Sequence, residues 1–157
     1  MISATDAAAR KLSTRSMATA ELRDHLLKKG YPAREVEEVI RAFQEDGYLD
    51  DQRFCREYFG YAFRKNKGKR RVFAELRQKG LSEDDIQFAY EDYLEEEGDS
   101  VDEMARARAE AQKILRVAGV EEDQPVPEKI QGRIARKLSG YGYSSHVIYE
   151  ILGELRK

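Results

Sequence analysis

One cysteine, two histidines, three prolines and no tryptophan are spread over 157 residues. A lone Cys55 excludes an intramolecular disulfide and the thiolate frameworks that hold structural zinc. It has no evident His or Asn partner and follows Phe54, so it reads as a partly buried small hydrophobe. His25 and His146 are solitary, without a second His, Cys or paired carboxylate at ligand spacing, so no metal is expected; His25 reads as a helix-surface residue. No apolar run approaches the roughly 18 residues of a membrane span. Residues 1–15 lack the continuous apolar stretch of a secretory signal. There is no P-loop pattern. Gly140-Tyr141-Gly142-Tyr143 resembles half of a dinucleotide fingerprint, but it follows a helix where that motif follows a strand. Adjacent acids (Asp50-Asp51, Asp84-Asp85, Glu95 to Glu97) are the ordinary outcome on a solvated helix. With no nucleophile, metal set or phosphate cradle, the chain is expected to be no enzyme, to need no cofactor, and to be a soluble cytoplasmic monomer. Its length suffices to bury most of its surface without metals or disulfides.

The net charge of −2 conceals a pattern. Between Arg64 and Lys79 lie Arg64, Lys65, Lys67, Lys69, Arg70, Arg71, Arg77 and Lys79, against a single acid, Glu75. From Glu83 to Asp99 there are nine acids and no base. Arg64, Lys65 and Lys67 are expected to end one helix, and Lys69, Arg70 and Arg71 to begin the next. Cations are unfavourable at the positive end of a helix dipole. The placement suggests compensation by something negative: a phosphate backbone, an acidic protein face, or the chain's own acids at 83–85 and 91–97.

Apolar residues recur at helical spacing almost throughout: Leu22, Leu26 and Leu27; Val36, Val39, Ile40 and Phe43; Phe54, Tyr58, Phe59, Ala62 and Phe63; Ile130, Ile134 and Leu138. Alternating strand patterns are missing, so the fold is expected to be all-α. Gly30, Gly47, Gly80, Gly98, Gly119 and Gly142 follow apolar runs, where a left-handed residue ends a helix. Pro32, Ser82 and Ser144 are placed to open the next one, and Asp50 or Asp51 to cap the helix bearing Phe54. Exposed aromatics can stack on bases; Tyr48, Tyr58, Tyr61, Tyr141 and Tyr149 are the candidates, and core packing is the better reading for most.

These glycines expose a repeat. Counted from Gly30, Gly80 and Gly142, the eighth residue before is Leu22, Val72 or Ile134, and the fourth before is Leu26, Leu76 or Leu138. Tyr31, Leu81 and Tyr143 follow at once; Val36, Ile86 and Ile148 come sixth, Val39, Ala89 and Ile151 ninth, Phe43, Tyr93 and Leu155 thirteenth. That is an antiparallel helix pair, three times over. A further helix precedes each pair: Ala4, Ala8 and Leu12 in the first, Phe54 to Phe63 in the second, and about Val101 to Val117 in the third. The first of these has little to bury. The expectation is three tandem three-helix repeats, residues 1–49, 50–98 and 99–157, in an elongated modular protein. An acidic, proline-containing insertion lies near 119–127. An extended helical surface of this kind suits binding more than catalysis.

The repeat and its punctuation resemble the RecX family, bacterial regulators of the RecA recombinase. The most specific match is Gly47-Tyr48-Leu49-Asp50-Asp51-Gln52-Arg53-Phe54, against the family's Gly-Tyr-Leu-Asp-Asp-x-Arg-Phe. Tyr58, Gly68 to Val72 and Glu75 to Gly80 match the second unit. Arg15-Ser16, Glu21-Leu22 and Lys29 to Tyr31 match the first. Residues 47–54 also have a structural reading: Gly47 stops a helix, Tyr48 and Leu49 pack, an Asp caps the next helix, and Phe54 enters the core. The resemblance implies a non-enzymatic protein that binds the RecA filament along its groove. Blocking of extension would lower ATP hydrolysis, strand exchange and repressor self-cleavage. The eight cations from Arg64 to Lys79 are the expected contact with recombinase or DNA. The competing reading is a helical module that binds single- or double-stranded DNA directly. Under either, reversing Lys69, Arg70 and Arg71 to Glu should abolish partner binding, with helical content by circular dichroism unchanged; binding that survives would refute the electrostatic assignment.

Overall fold

The computed structural model describes residues 1–97 and 102–156, and every regular element among them is a helix. These are α1 (Ala4–Leu12), α2 (Thr19–Lys28), α3 (Ala33–Glu45), α4 (Asp51–Arg64), α5 (Lys69–Gln78), α6 (Glu83–Glu97), α7 (Glu103–Ala118), α8 (Glu128–Gly140) and α9 (Ser145–Leu155). The expected all-α helical repeat is what the chain adopts. Gly98, Asp99 and Val101, read as a helix stop, a repeat boundary and a helix start, lie outside the described residues.

The repeat is written in backbone hydrogen bonds. At each pivot glycine the same two bonds close the helix: Gly30 N–H to Leu27 and Tyr31 N–H to Leu26, Gly80 to Arg77 and Leu81 to Leu76, Gly142 to Ser139 and Tyr143 to Leu138. The second bond of each pair spans a left-handed residue, with φ +99°, +90° and +90° at the three glycines, a conformation that costs other residues about 1–2 kcal/mol. Ser82 and Ser144 then cap α6 and α9 by accepting from Asp85 N–H (3.1 Å) and Val147 N–H (3.2 Å). The repeat positions are buried, save Tyr93, Ile148 and Leu155, which are partly so. In α9 Val147, one residue earlier, is buried in place of Ile148. Leu27, read as part of the apolar face of α2, is 43% exposed.

The chain forms two compact units. One comprises Met1–Tyr58 with Leu76–Tyr93, the other Phe59–Glu75 with Leu94–Lys157. In the first, α1, α2 and α3 pack on one another around Leu22, Leu26, Val36, Ile40 and Phe43. Helix α1 has more to bury than its composition suggests: Ala4, Ala7 and Ala8 enter this core, because alanines let the helix backbone come close. Ser3 caps α1, and Tyr31 Oη donates to Ile2 O (2.6 Å). Cys55 is wholly buried, not partly, and burial, with Asp51 and Asp85 nearby, pushes its thiol up to about 12. His25 is half-buried, and burial together with Lys11 and Lys29 lowers its pKa.

In the second unit α7, α8 and α9 enclose Ala107, Ala111, Leu115, Ile134, Leu138 and Ile151. The insertion is no loose linker: Val120 and Val126 pack on this core, and Gln131 Nε2 donates to Val126 O (2.9 Å).

Glu21 on α2 accepts from Ala18 N–H (3.0 Å) and faces Lys79 (3.3 Å) and Arg15 (3.5 Å). Burial raises its pKa, but the Ala18 bond and the two cations outweigh it and hold the carboxyl below its usual range. A lowered folded pKa gives stability that is present above the ordinary value of 4.5 and is lost as pH falls through the folded one. Glu21→Gln should therefore reduce stability at neutral pH and flatten the acid limb below 4.5 in urea titrations; an unchanged limb would contradict this assignment.

Candidate partner-binding surface

The eight cations of the basic run fall in both units. Arg77 and Lys79 belong to the first unit, where Arg77 Nε is paired with Glu83 and Lys79 with Glu21, its ammonium 5.6 Å from the Tyr58 ring centre. The other six belong to the second unit. Helix α4 ends at Arg64, so Lys65 and Lys67 fall in the following turn, not in the helix.

That turn is held from several sides. Asn66 is left-handed (φ +61°), its side-chain amide donates to Glu110 Oε1 (2.9 Å), and its carbonyl accepts from the Tyr143 hydroxyl. Glu110 is 4% exposed and also pairs with Lys113 (3.0 Å). Burial pushes the Tyr143 phenol up to about 12, so it remains a donor at neutral pH. Gly68 N–H donates to Tyr141 O (2.6 Å), and Arg71 Nη1 to Gly140 O (3.1 Å). Here Gly140 to Tyr143 does its work, as a backbone clamp and not as a nucleotide cradle. A Cβ on Gly142 would come within 2.4 Å of Arg71 N, and one on Gly68 within 2.6 Å of the Gly142 carbonyl carbon. Only glycine fits on either side.

The conflict of cations at a helix start is resolved inside the molecule. Glu103, from α7, accepts from Lys69 N–H (3.3 Å) at the first turn of α5, placing a carboxylate where the helix dipole favours one. Glu75 takes both Lys67 (3.1 Å) and Arg71 (3.2 Å). The expected neutralisation by the acidic run is represented by Arg77–Glu83, while Asp92 of that run pairs with Arg56 (3.8 Å). Arg71 is thus a structural residue, and a reversal that includes it would also loosen the corner. Arg64, Lys65 and Arg70 are exposed. Lys65 lies 5.1 Å over Tyr61 and Lys69 5.2 Å over Phe73.

The 47–54 motif lies in the first unit and divides its labour. Asp50 caps its own helix by accepting from Arg53 N–H (3.1 Å). Asp51 accepts from Thr19 N–H (2.8 Å), capping α2, whose own N-cap, Ala18, has no side-chain acceptor. Gln52 Nε2 donates to Asp85 O (3.1 Å), tying α4 to α6, and Arg53 Nη2 donates to Gly47 O (2.9 Å). Leu49 and Phe54 are buried, but Tyr48 is 65% exposed and only leans on Phe43, because Gly47 turns it outward. Of the other tyrosines read as candidates, Tyr61 and Tyr149 are exposed and Tyr58 and Tyr141 half-buried. Among the described residues no cluster of His, Cys, Asp and Glu could hold a metal, and no helix is long and apolar enough to cross a membrane.

Two sets of residues escaped the sequence reading. Glu103, Glu110 and Tyr143 hold the corner from far along the chain, and nothing local signals that. Lys129, Arg133, Arg136 and Lys137 share the exposed face of α8, a spacing visible on a helical wheel but scattered in linear sequence.

Models of the RecX family match this chain twice, the first three-helix domain over residues 4–41 and the second over 50–89. A regulatory protein RecX of Vibrio vulnificus is 34% identical over 90 residues, covering 57% of this chain and 59% of that protein. One of Mycolicibacterium smegmatis is 30% identical over 148 residues, covering 91% and 74%. The chain thus spans less than two thirds of the first relative's length and about three quarters of the second's. The crystal structure of RecX from Lactobacillus salivarius superposes with a TM-score of 0.74 at 21% identity, covering 97% of this chain and 94% of that one.

The tightness of the clamp is testable. Gly30→Ala has nothing within 4 Å and φ +99°, so it should cost about 1–2 kcal/mol in urea unfolding. Gly142→Ala adds a collision with the α5 backbone and should cost at least about 1 kcal/mol more. Equal losses would mean that the approach of Gly142 to α5 is not tight.

Proposed function

The chain belongs to the RecX family, and from that premise we propose that it is a non-enzymatic regulator that binds the filament of the RecA recombinase and restrains it. It acts in the cytoplasm as a monomer, with the three-helix repeats 1–49, 50–98 and 99–157 as its binding modules. Lodged along the filament, it would block extension and so lower ATP hydrolysis, strand exchange and stimulated repressor cleavage.

What supports the reading, beyond family membership, is one observation: Arg64, Lys65 and Arg70 are exposed on a corner where Glu75 already pairs with Lys67 and Arg71. Arg64 and Arg70 pair with no acid among the described residues. Cations fixed in place by backbone bonds lose little conformational entropy when a negative partner arrives. A recombinase filament on DNA offers negative charge from both protein and phosphate.

The reading is tested by titrating the protein into RecA ATPase on single-stranded DNA, well below the recombinase concentration. Inhibition at that ratio is expected, because one bound molecule stops the growth of many subunits. Arg64→Glu with Arg70→Glu should weaken that inhibition by at least about tenfold, the order expected of two reversed interface charges, with the thermal unfolding midpoint unchanged. Inhibition only near equimolar protein would contradict filament blocking, and full potency in the double variant would remove the corner from the interface.

A further inference from the structure

The acids of α6 are only partly answered within their own chain. Glu83 pairs with Arg77 and Asp92 with Arg56 (3.8 Å), whereas Asp84 meets no cation among the described residues and Glu91 accepts from Gln87 Nε2 (3.2 Å). Among these acids Phe88 is 63% exposed, with no ring or cation against it among the described residues. At roughly 100° per residue, Asp84, Phe88, Glu91 and Asp92 share an arc of about 100°. Ile86 and Ala89, on the other side of the helix, are buried, so Phe88 cannot turn inward. The face belongs to the first unit.

Helix α8 of the second unit presents the counterpart. Lys129, Arg133, Arg136 and Lys137 are exposed over an arc of the same width, and none pairs with an acid among the described residues. Both stripes have the spacing i, i+4, i+7, i+8. Laid side by side, they put Arg133 on Phe88 at the middle, and Lys129 and Lys137 on Asp84 and Asp92 at the ends. Running one helix the other way exchanges the two ends and keeps every pairing of the same kind. A guanidinium over a phenyl ring is the contact that Arg106 makes with Phe63 inside the chain, at 4.3 Å. Each face is exposed in the folded chain, so what covers it comes from outside that chain.

We propose that the α6 face of one copy docks on the α8 face of a second copy, head to tail. Phe88 is the aromatic anchor that a protein interface needs, and the acids around it repel a phosphate backbone. The matched spacing and opposite charge of the two stripes single out a second copy of this chain as the partner. Because unlike faces meet, the contact is heterologous and leaves one face of each kind open to a further copy. One helix face from each side is a small area, and exposed ion pairs are individually weak. A dilute chain therefore stays monomeric, and crowded copies associate reversibly. Copies lodged side by side on a filament would line up through these faces. The contact itself needs no filament, so its test stands apart from the function proposed above.

The test is sedimentation velocity of the protein alone over a concentration series at low salt. The sedimentation coefficient should rise with concentration, and the rise should vanish at about 1 M salt, where charges are screened beyond about 3 Å. Two variants separate the faces: Phe88→Lys with Glu91→Lys on α6, and Arg133→Glu with Arg136→Glu on α8. All four positions are exposed, so circular dichroism should be unchanged. Each variant alone should associate at least about tenfold more weakly than the parent, the order expected of two altered interface residues. Mixed in equal amounts, the two should associate again, because the intact α8 of one meets the intact α6 of the other. A parent protein that stays monomeric throughout the low-salt series would overturn the proposal. So would either variant that self-associates as the parent does, or a mixture of the two folded variants that remains monomeric.

Discussion

The approach of Gly68 to Gly142 is the constraint on which the second unit depends. Two backbones meet where neither tolerates a Cβ, and this contact lets the carbonyls of Gly140 and Tyr141 accept from Arg71 and Gly68. With the turn thus seated, Asn66 can adopt a left-handed conformation and be held by Glu110 and Tyr143. Asn66, Glu110 and Tyr143 are partly or wholly removed from water and each has a partner, so the network fixes one geometry instead of several. The side chains left over, Arg64, Lys65 and Arg70, are the ones that point to solvent.

Charge in this protein is therefore sorted by structure, not by sequence. The run of eight cations looks like one patch in the primary sequence, yet half of it is consumed internally: Lys67 and Arg71 by Glu75, Arg77 by Glu83, Lys79 by Glu21. Conversely, α8 shows no basic run in linear sequence, because residues 130–132 and 134–135 separate its cations. Folding brings these onto one face. Net charge near zero is compatible with a strongly basic surface when the acids are placed elsewhere.

Fold and repeat were legible because they rest on local rules. A left-handed glycine, a capping serine two residues later and apolar residues at fixed offsets each announce themselves within a few positions. The 47–54 motif was legible as structure for the same reason, although the division between Asp50, which caps α4, and Asp51, which caps α2, needs a partner 32 residues away. Tyr48 leans on Phe43 and yet stays exposed, since adjacency to Leu49 says nothing of which side a left-handed Gly47 sends each residue. The burial of α1 was underestimated because alanine contributes little area and much proximity. The clamp on the basic corner was invisible: Glu103, Glu110 and Tyr143 reach it from 34 to 77 residues away, and no pattern in sequence couples them to it.

The central claim is that the α4–α5 corner, with Arg64, Lys65 and Arg70, meets the recombinase filament. Lysine reactivity toward an acetylating reagent, read by mass spectrometry with and without RecA on single-stranded DNA, tests it most directly. The account predicts that Lys65 becomes protected on the filament, while the exposed Lys28 and Lys29 of the first unit stay reactive. Protection of Lys28 and Lys29 with Lys65 unchanged would contradict it.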